Sequence, residues 1–236
     1  MEKNSSSVPD SPAATSLART PAAPLARADS PFAIVGIGAS AGGLPALEHF
    51  MRHVPVQSGM AFVVVQHLDP GRKTMMAELL QRCTPMNVQE ITDGTQVRPD
   101  EVYLIPPNKD LSILRGVLHL LAPPPESGLR LPIDFFFSSL AQDRREKAIG
   151  VILSGMGSDG TEGLRAIREM SGLVVVQDPA TAEFDSMPRS ALEAGVVDVV
   201  APADESPGKV MAFVGRNQLA IDFDARLKVE QKDAGF

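Results

Sequence analysis

The sequence predicts an α/β fold: a doubly wound, mainly parallel sheet with helices on both faces and an antiparallel hairpin. Three observations carry this. Strand-like and helix-like patterns alternate along most of the 236 residues, as in sheets whose crossovers lie on both faces. Several strand candidates, such as Met60–Val65 and Ala148–Leu153, are continuously apolar rather than alternating, which marks strands buried on both sides. The first strand candidate runs straight into a glycine-rich turn and then into helical apolar spacing.

In chain order, residues 1–30 hold seven alanines, six serines and four prolines with no apolar period. Such a composition cannot offset its ordering entropy, so a disordered tail is expected there. A domain is expected over residues 31–205. It opens with a strand at 33–37 and a helix at about 43–53, in which Leu44, Leu47, Met51 and Val54 recur at helical spacing. The Met60–Val65 strand and a helix around 74–83 come next, then short strands near 87–91 and 101–105. Residues 111–120 fit a hairpin turning at Arg115-Gly116. Beyond the Pro123–Pro125 break lie a helix over 133–142, the Ala148–Leu153 strand and a helix at 160–170. A strand at 173–176, a helix near 188–194 and a strand at 196–200 complete the set. Residues 206–236 form an extension of uncertain role, with a closing helix from Gly208 to Arg216. Strict alternation of apolar and charged residues over 221–230 then suggests a strand that binds a partner or another domain.

Bulk properties exclude several functions. A net charge of −7 and a pI near 5.1 argue against nucleic acid or an anionic membrane as the main partner. Cys83 is the single cysteine, so neither a disulfide framework nor a cysteine-rich metal site is expected. No apolar run approaches a membrane span, and no signal-type block follows Met1, which together predict a cytoplasmic protein.

The turn after the first strand carries two overlapping patterns. Gly38-Ala39-Ser40-Ala41-Gly42 has the Gly-x-Ser-x-Gly form of a nucleophile elbow. The N–H of Ala41, in the turn that follows, would face an oxyanion there. Gly36-x-Gly38-x-x-Ala41 also meets the relaxed dinucleotide pattern, but no acidic residue stands about 20 positions on, near Val56-Gln57-Ser58. A third reading is a glycine turn needed only for strand–helix packing. Catalysis in open α/β sheets gathers at the carboxyl ends of strands. There the first strand delivers Ser40, Phe62–Val65 delivers Gln66-His67, and Ala148–Leu153 delivers Ser154 to Gly160 with Asp159. A hydroxyl, an imidazole and a carboxylate on one edge are the groups of an activated serine. Each also has a bland alternative: His67 as a loop histidine, and Asp159 as the N-cap of its own helix with Glu162 completing a capping box. His49, His53 and His119 fall away from that edge. The order Ser, His, Asp disfavours an ordinary lipase or esterase.

Gly38–Gly43, Val65-Gln66-His67 and Ser154–Gly160 together resemble the three active-site motifs of the chemotaxis protein-glutamate methylesterase family (CheB type). Ile105-Pro106-Pro107, Pro132-Ile133-Asp134, Val176-Gln177-Asp178 and Ser186-Met187-Pro188 extend the likeness over roughly residues 32–202. The resemblance implies hydrolysis of glutamate γ-methyl esters on receptor-type signalling proteins, often with deamidation of glutamines. By position it makes Ser40 the nucleophile, His67 the general base, Asp159 its orienting acid, and the N–H groups of Ala41 and Met156 the oxyanion hole. It implies no cofactor and no metal. Ala41 stands where the typical chemotaxis member has Thr, and the 30-residue tail stands where that member has a phosphoryl-accepting receiver domain. Segments 36–43 and 63–70 are similar to methylesterase domains fused to a methyltransferase, which suggests a methyltransferase as a partner beside the methylated receptor. The competing expectation is a catalytically quiet scaffold module; a nucleotide-dependent oxidoreductase is third.

Overall fold

The structure is a computed structural model that describes residues 32–66, 75–123 and 130–216. The expectations for the N-terminal tail, for His67 and for the alternating segment 221–230 lie outside the described residues.

Seven parallel strands form the main sheet in the order β10-β9-β8-β1-β2-β5-β3. Its centre is β1 (Ile34–Ala39), flanked by β2 (Ala61–Gln66) and β8 (Ala148–Ile152). Beyond β2 lie β5 (Glu101–Leu104) and β3 (Asn87–Glu90); beyond β8 lie β9 (Leu173–Gln177) and β10 (Val199–Ala201). The chain winds outward from β1 on one side, returns through β8, and winds outward on the other. The topological switch therefore lies between β1 and β8, where open sheets of this kind place their sites. A separate antiparallel sheet has the order β4-β7-β6, from β4 (Thr95–Gln96), β6 (Asp110–Leu114) and β7 (Val117–Leu121). The hairpin turns at Arg115 and Gly116 as expected, both with positive φ, and the Asp143 carboxylate accepts both of their N–H groups.

Period-two alternation in β1 serves the two faces differently. Val35, Ile37 and Ala39 join the layer formed with α1 (Gly43–Arg52), α2 (Met76–Gln81) and a helix over 206–216, in which Val210 is fully buried. In that layer Phe50 of α1 meets Phe62 of β2 edge to face at 6.4 Å. Burying a side chain of this size stabilises the fold by roughly 2–3 kcal/mol. Ile34 joins the opposite layer, built with α3 (Pro132–Arg144), α4 (Thr161–Glu169) and α5 (Ser186–Glu193).

Gly36 and Gly38 of β1 face α3. A Cβ on Gly36 would stand 2.9 Å from Phe137, and one on Gly38 would stand 2.6 Å from Ile133 and 2.8 Å from Ile152. Both are therefore glycine because α3 lies directly on the strand. Among the described residues no helix is long and apolar enough to cross a membrane.

The starts of α3 and α4 exchange caps. Asp159, just ahead of α4, accepts the N–H of Ile133 (3.0 Å) and of Asp134 (2.9 Å) in the first turn of α3. Asp134 in turn accepts the N–H of Gly163 in α4 at 2.7 Å. The N-cap of α4 is Gly160, at φ 97°, with no side-chain cap of its own. The expectation that Asp159 caps its own helix with Glu162 is thus corrected: its carboxylate belongs to a helix start 25 residues earlier in the chain.

Candidate active site

Ser40 follows the last residue of β1 directly. Its N–H donates to Ser154 O at 3.1 Å, continuing the bond from Leu153 N–H to Gly38 O at 3.0 Å, so the β1–β8 pairing carries on to the serine. The reversal into α1 falls on Gly42, which has φ 65° and is the N-cap of that helix. A side chain there would meet Glu183 and Phe184. Ser40 is not among the residues with positive φ, so the turn is taken by a glycine and the hydroxyl-bearing residue is unstrained. The Ser40 carbonyl accepts the N–H of Gly43 (3.0 Å) and Nε2 of Gln66 (3.4 Å). Gln66 is the partner of Ala39 in the β1–β2 register.

The β8 loop lies against this turn. Ser154, 1% exposed, donates its hydroxyl to Ala41 O (3.1 Å) and accepts from Phe184 N–H (3.0 Å). Its own N–H donates to Oε1 of buried Gln177 (2.9 Å), whose Nε2 reaches Thr181 O (3.1 Å). Gly155 follows, and a Cβ on it would lie 3.0 Å from the Ser40 Cβ and run into Met187. The peptide after Gly155 is therefore brought beside Ser40 because Gly155 has no side chain. That peptide carries the N–H of Met156. Neither this N–H nor that of Ala41 has an acceptor among the described residues.

Asp159 is 3% exposed at the same end of the sheet. Cβ atoms built on Gly160 and on Gly38 meet the same methyl groups of Ile133 and Ile152. The Asp159–Gly160 turn, the start of α3 and the last residues of β1 thus converge on one point. Burial pushes the neighbouring Asp134 carboxyl above its ordinary value, and the charge of Asp159 adds to that.

Ser40, Ala41, Met156 and Asp159 therefore lie on the edge where the sequence places them, while His67 falls outside the described residues. Ser154 and Gln177, which brace the site, were visible only as members of quoted motifs. His49, within α1, lines a groove of about 420 Å³ with Gly42, Ser154, Glu183 and Glu205. A second groove of about 200 Å³ is lined by Gln66, Pro106, Asn108, Lys109 and Arg130. At Gly36 and Gly38 the space that a bare glycine leaves is filled by α3 side chains, so these glycines serve packing rather than a pyrophosphate. Among the described residues no three His, Cys, Asp or Glu side chains form a group able to hold a metal ion.

Residues 35–210 match the sequence profile of the family described as CheB methylesterase. The chain belongs to the CheB methylesterase family. It is 36% identical over 202 residues to the protein-glutamate methylesterase/protein-glutamine glutaminase 2 of Burkholderia pseudomallei, covering 84% of this chain and 59% of that protein. The corresponding protein of the group 3 operon of Rhizobium meliloti is 34% identical over 193 residues, covering 81% and 54%. The chain thus spans somewhat over half the length of these relatives. Among solved structures, the CheB methylesterase catalytic domain of Thermotoga maritima matches with a TM-score of 0.71 at 34% identity, covering 78% of this chain and 99% of that one. The CheB-family fold thus accounts for the doubly wound sheet expected from the sequence.

Proposed function

We propose that this chain is a serine hydrolase that demethylates glutamate γ-methyl esters on a chemoreceptor-type signalling protein, with deamidation of glutamines as a second activity. The observation that carries the proposal is the setting of Ser40. It stands at the end of the central strand, next to Ala41 and with the Gly155 peptide against its Cβ, and neither the Ala41 nor the Met156 N–H has an acceptor among the described residues. The names of the relatives point to the same pair of activities.

In this mechanism the Ser40 Oγ attacks the ester carbonyl carbon as its proton passes to His67. The carbonyl oxygen gains negative charge and is received by the Ala41 and Met156 N–H groups, a contribution that grows as the charge develops. Collapse of the tetrahedral species breaks the bond to methoxide, which leaves as methanol with the proton from His67. Water then attacks the acyl-serine by the same route, releasing the glutamate carboxylate and restoring Ser40. Asp159 orients the imidazole and stabilises its charged form. An amide passes through the same intermediate with ammonia as the leaving group, so deamidation needs no new residue. The reaction as written uses no metal and no cofactor.

Further parts of the reading are a cytoplasmic location, a domain over residues 31–205 with extensions on either side, and a methyltransferase that makes the substrate. A receptor peptide bearing γ-methyl glutamate tests the core of it. Wild-type protein should release methanol and Ser40→Ala should not. A folded wild-type protein that binds the peptide and releases none would leave a scaffold module as the function.

A further inference from the structure

The two candidate oxyanion donors belong to peptide units whose carbonyls are held from behind. In a trans peptide the C=O and the following N–H point in opposite directions in one plane, so whatever fixes the carbonyl aims the N–H. Among the described residues no peptide bond is cis. In the Gly155–Met156 unit the carbonyl of Gly155 accepts from Met187 N–H at 3.1 Å and from the Ser186 hydroxyl at 3.2 Å. The same hydroxyl oxygen accepts the N–H of Gly157 at 3.0 Å. One proton and two lone pairs allow both contacts at once. Ser186 thus ties down the peptide on each side of Met156.

Two further bonds reach this segment, from Gly155 N–H to Phe184 O at 3.0 Å and from the Ser190 hydroxyl to Gly157 O at 3.3 Å, but neither lies on the Gly155–Met156 or the Met156–Gly157 peptide unit. The Met156 side chain is 59% exposed, so packing does not fix the residue. It is flanked by Gly155, bare because Ser40 and Met187 occupy its Cβ space, and by Gly157 at φ 83°. Glycine on both sides leaves the peptide planes free to rotate unless hydrogen bonds stop them. A serine at a helix start ordinarily bonds an N–H of its own first turn. Ser186 opens α5 but sends its hydroxyl to residues 29 and 31 positions back, and the N-cap of that helix, Asp185, makes no side-chain cap.

We propose that Ser186 is a positioning residue for ester hydrolysis, holding the Gly155–Met156 and Met156–Gly157 peptides so that the Met156 N–H is aimed at the oxyanion. This rests on the reading in which Ser40 is the nucleophile and Met156 an oxyanion donor. Removing an oxyanion donor outright costs about 10²–10³ in kcat. Loosening one while Met187 N–H still holds the carbonyl should cost less, roughly 10-fold.

The test compares wild type, Ser186→Ala and Ser186→Thr on a γ-methyl glutamate peptide, with methylboronic acid as a probe that forms a tetrahedral adduct on a reactive serine. Ser186→Ala should lower kcat roughly 10-fold with KM within about twofold, and weaken the boronate by a similar factor. Ser186→Thr, which keeps the hydroxyl, should recover most of both. In wild type the amide resonance of Met156 should shift on boronate binding, and in Ser186→Ala that shift should shrink. Unchanged kcat and boronate affinity in a folded Ser186→Ala protein overturns the assignment, as does an equal loss in the Thr variant. If Ser186→Ala does not fold, Ser186→Cys keeps the volume with a weak S–H donor and should fall between the two; wild-type behaviour there also overturns it. Failure of the underlying reading shows separately, in wild type alone, as absence of any Ser40 adduct and of methanol release. That outcome removes the role of Ser186 with it.

Discussion

Replacing Asp159 by Asn separates what this carboxylate does for the fold from what it does for the reaction. Its two oxygens each accept one backbone N–H from the start of α3, at 3.0 and 2.9 Å. Asparagine can serve one of them with its carbonyl oxygen, but its NH₂ then faces the other N–H, donor against donor. The loss comprises one hydrogen bond to a charged group, about 1.5–3 kcal/mol, and a buried donor left without an acceptor, about 1–3 kcal/mol. These overlap, so about 2–4 kcal/mol is expected, or roughly 5–15 °C in melting temperature for a domain of this size. An ordinary N-cap would behave differently, because Asn caps helices about as well as Asp. Activity should fall much further, by something like 10⁴-fold, because the imidazole loses the partner that fixes its tautomer. Thermal melts at neutral pH give the first quantity. Methanol release at 25 °C, well below the variant's melting temperature and per mole of folded protein, gives the second. A melting temperature within about 1 °C of wild type would refute the two-pronged cap. A stable variant with the wild-type rate would remove Asp159 from the mechanism.

Three further outcomes are expected. Ser40→Ala should abolish hydrolysis, a loss of around 10⁴-fold or more, while circular dichroism and melting stay close to wild type. Gly38→Ala places a methyl 2.6 Å from Ile133 and 2.8 Å from Ile152, so it should cost about 1–3 kcal/mol in urea unfolding and lower activity by displacing the start of α3 that Asp159 grips. Burial holds the Asp134 carboxyl above its ordinary value of 3.8, so its contribution to stability is fully present below that value and is lost as pH rises through the raised one. Asp134→Asn keeps an oxygen for the Gly163 N–H and should match wild type at low pH but equal or exceed its stability at pH 7. A variant clearly less stable at pH 7 would show that the charge helps the helix start more than burial harms it.

Much of the fold was legible in the sequence because the main strands are continuous apolar runs. β2, β8 and β9 lie within a residue or two of their expected ends, and β1 runs on to Ala39, which places Ser40 directly at the strand end. β4, only two residues long, offers no period to detect. α5 opens at Ser186 rather than near 188, since Pro188 fits a helix's first turn, where a missing N–H costs nothing. The positions of Ser40 and Asp159 at the carboxyl edge were legible from counting polar residues at strand ends. The partner of Asp159 was not, because a carboxylate before a helix looks locally like that helix's cap, and the competing amides lie 25 residues away. The same holds for Ser154 and Ser186, whose contacts span 29 to 113 residues and leave no mark on their neighbours. The glycines left several readings open in sequence because two patterns overlap on them; the structure separates them, with Gly36 and Gly38 packed against α3 and Gly42 taking the turn.

The exchanged caps at the starts of α3 and α4 also bear on how this part of the molecule opens. Freeing the Ile133 and Asp134 amides requires Asp159 to let go, and freeing Gly163 requires Asp134 to do so, while the carboxyl-bearing residues sit in the very turns being released. Neither helix start can fray alone without loosening the other, so the two turns should behave as one small cooperative unit. In native-state hydrogen exchange the three amides should share a single opening free energy, well above that of an ordinary fraying helix end. The carboxylate at the edge of the sheet would then be as rigid as the interior beneath it, although it lies two residues ahead of the first residue of its own helix.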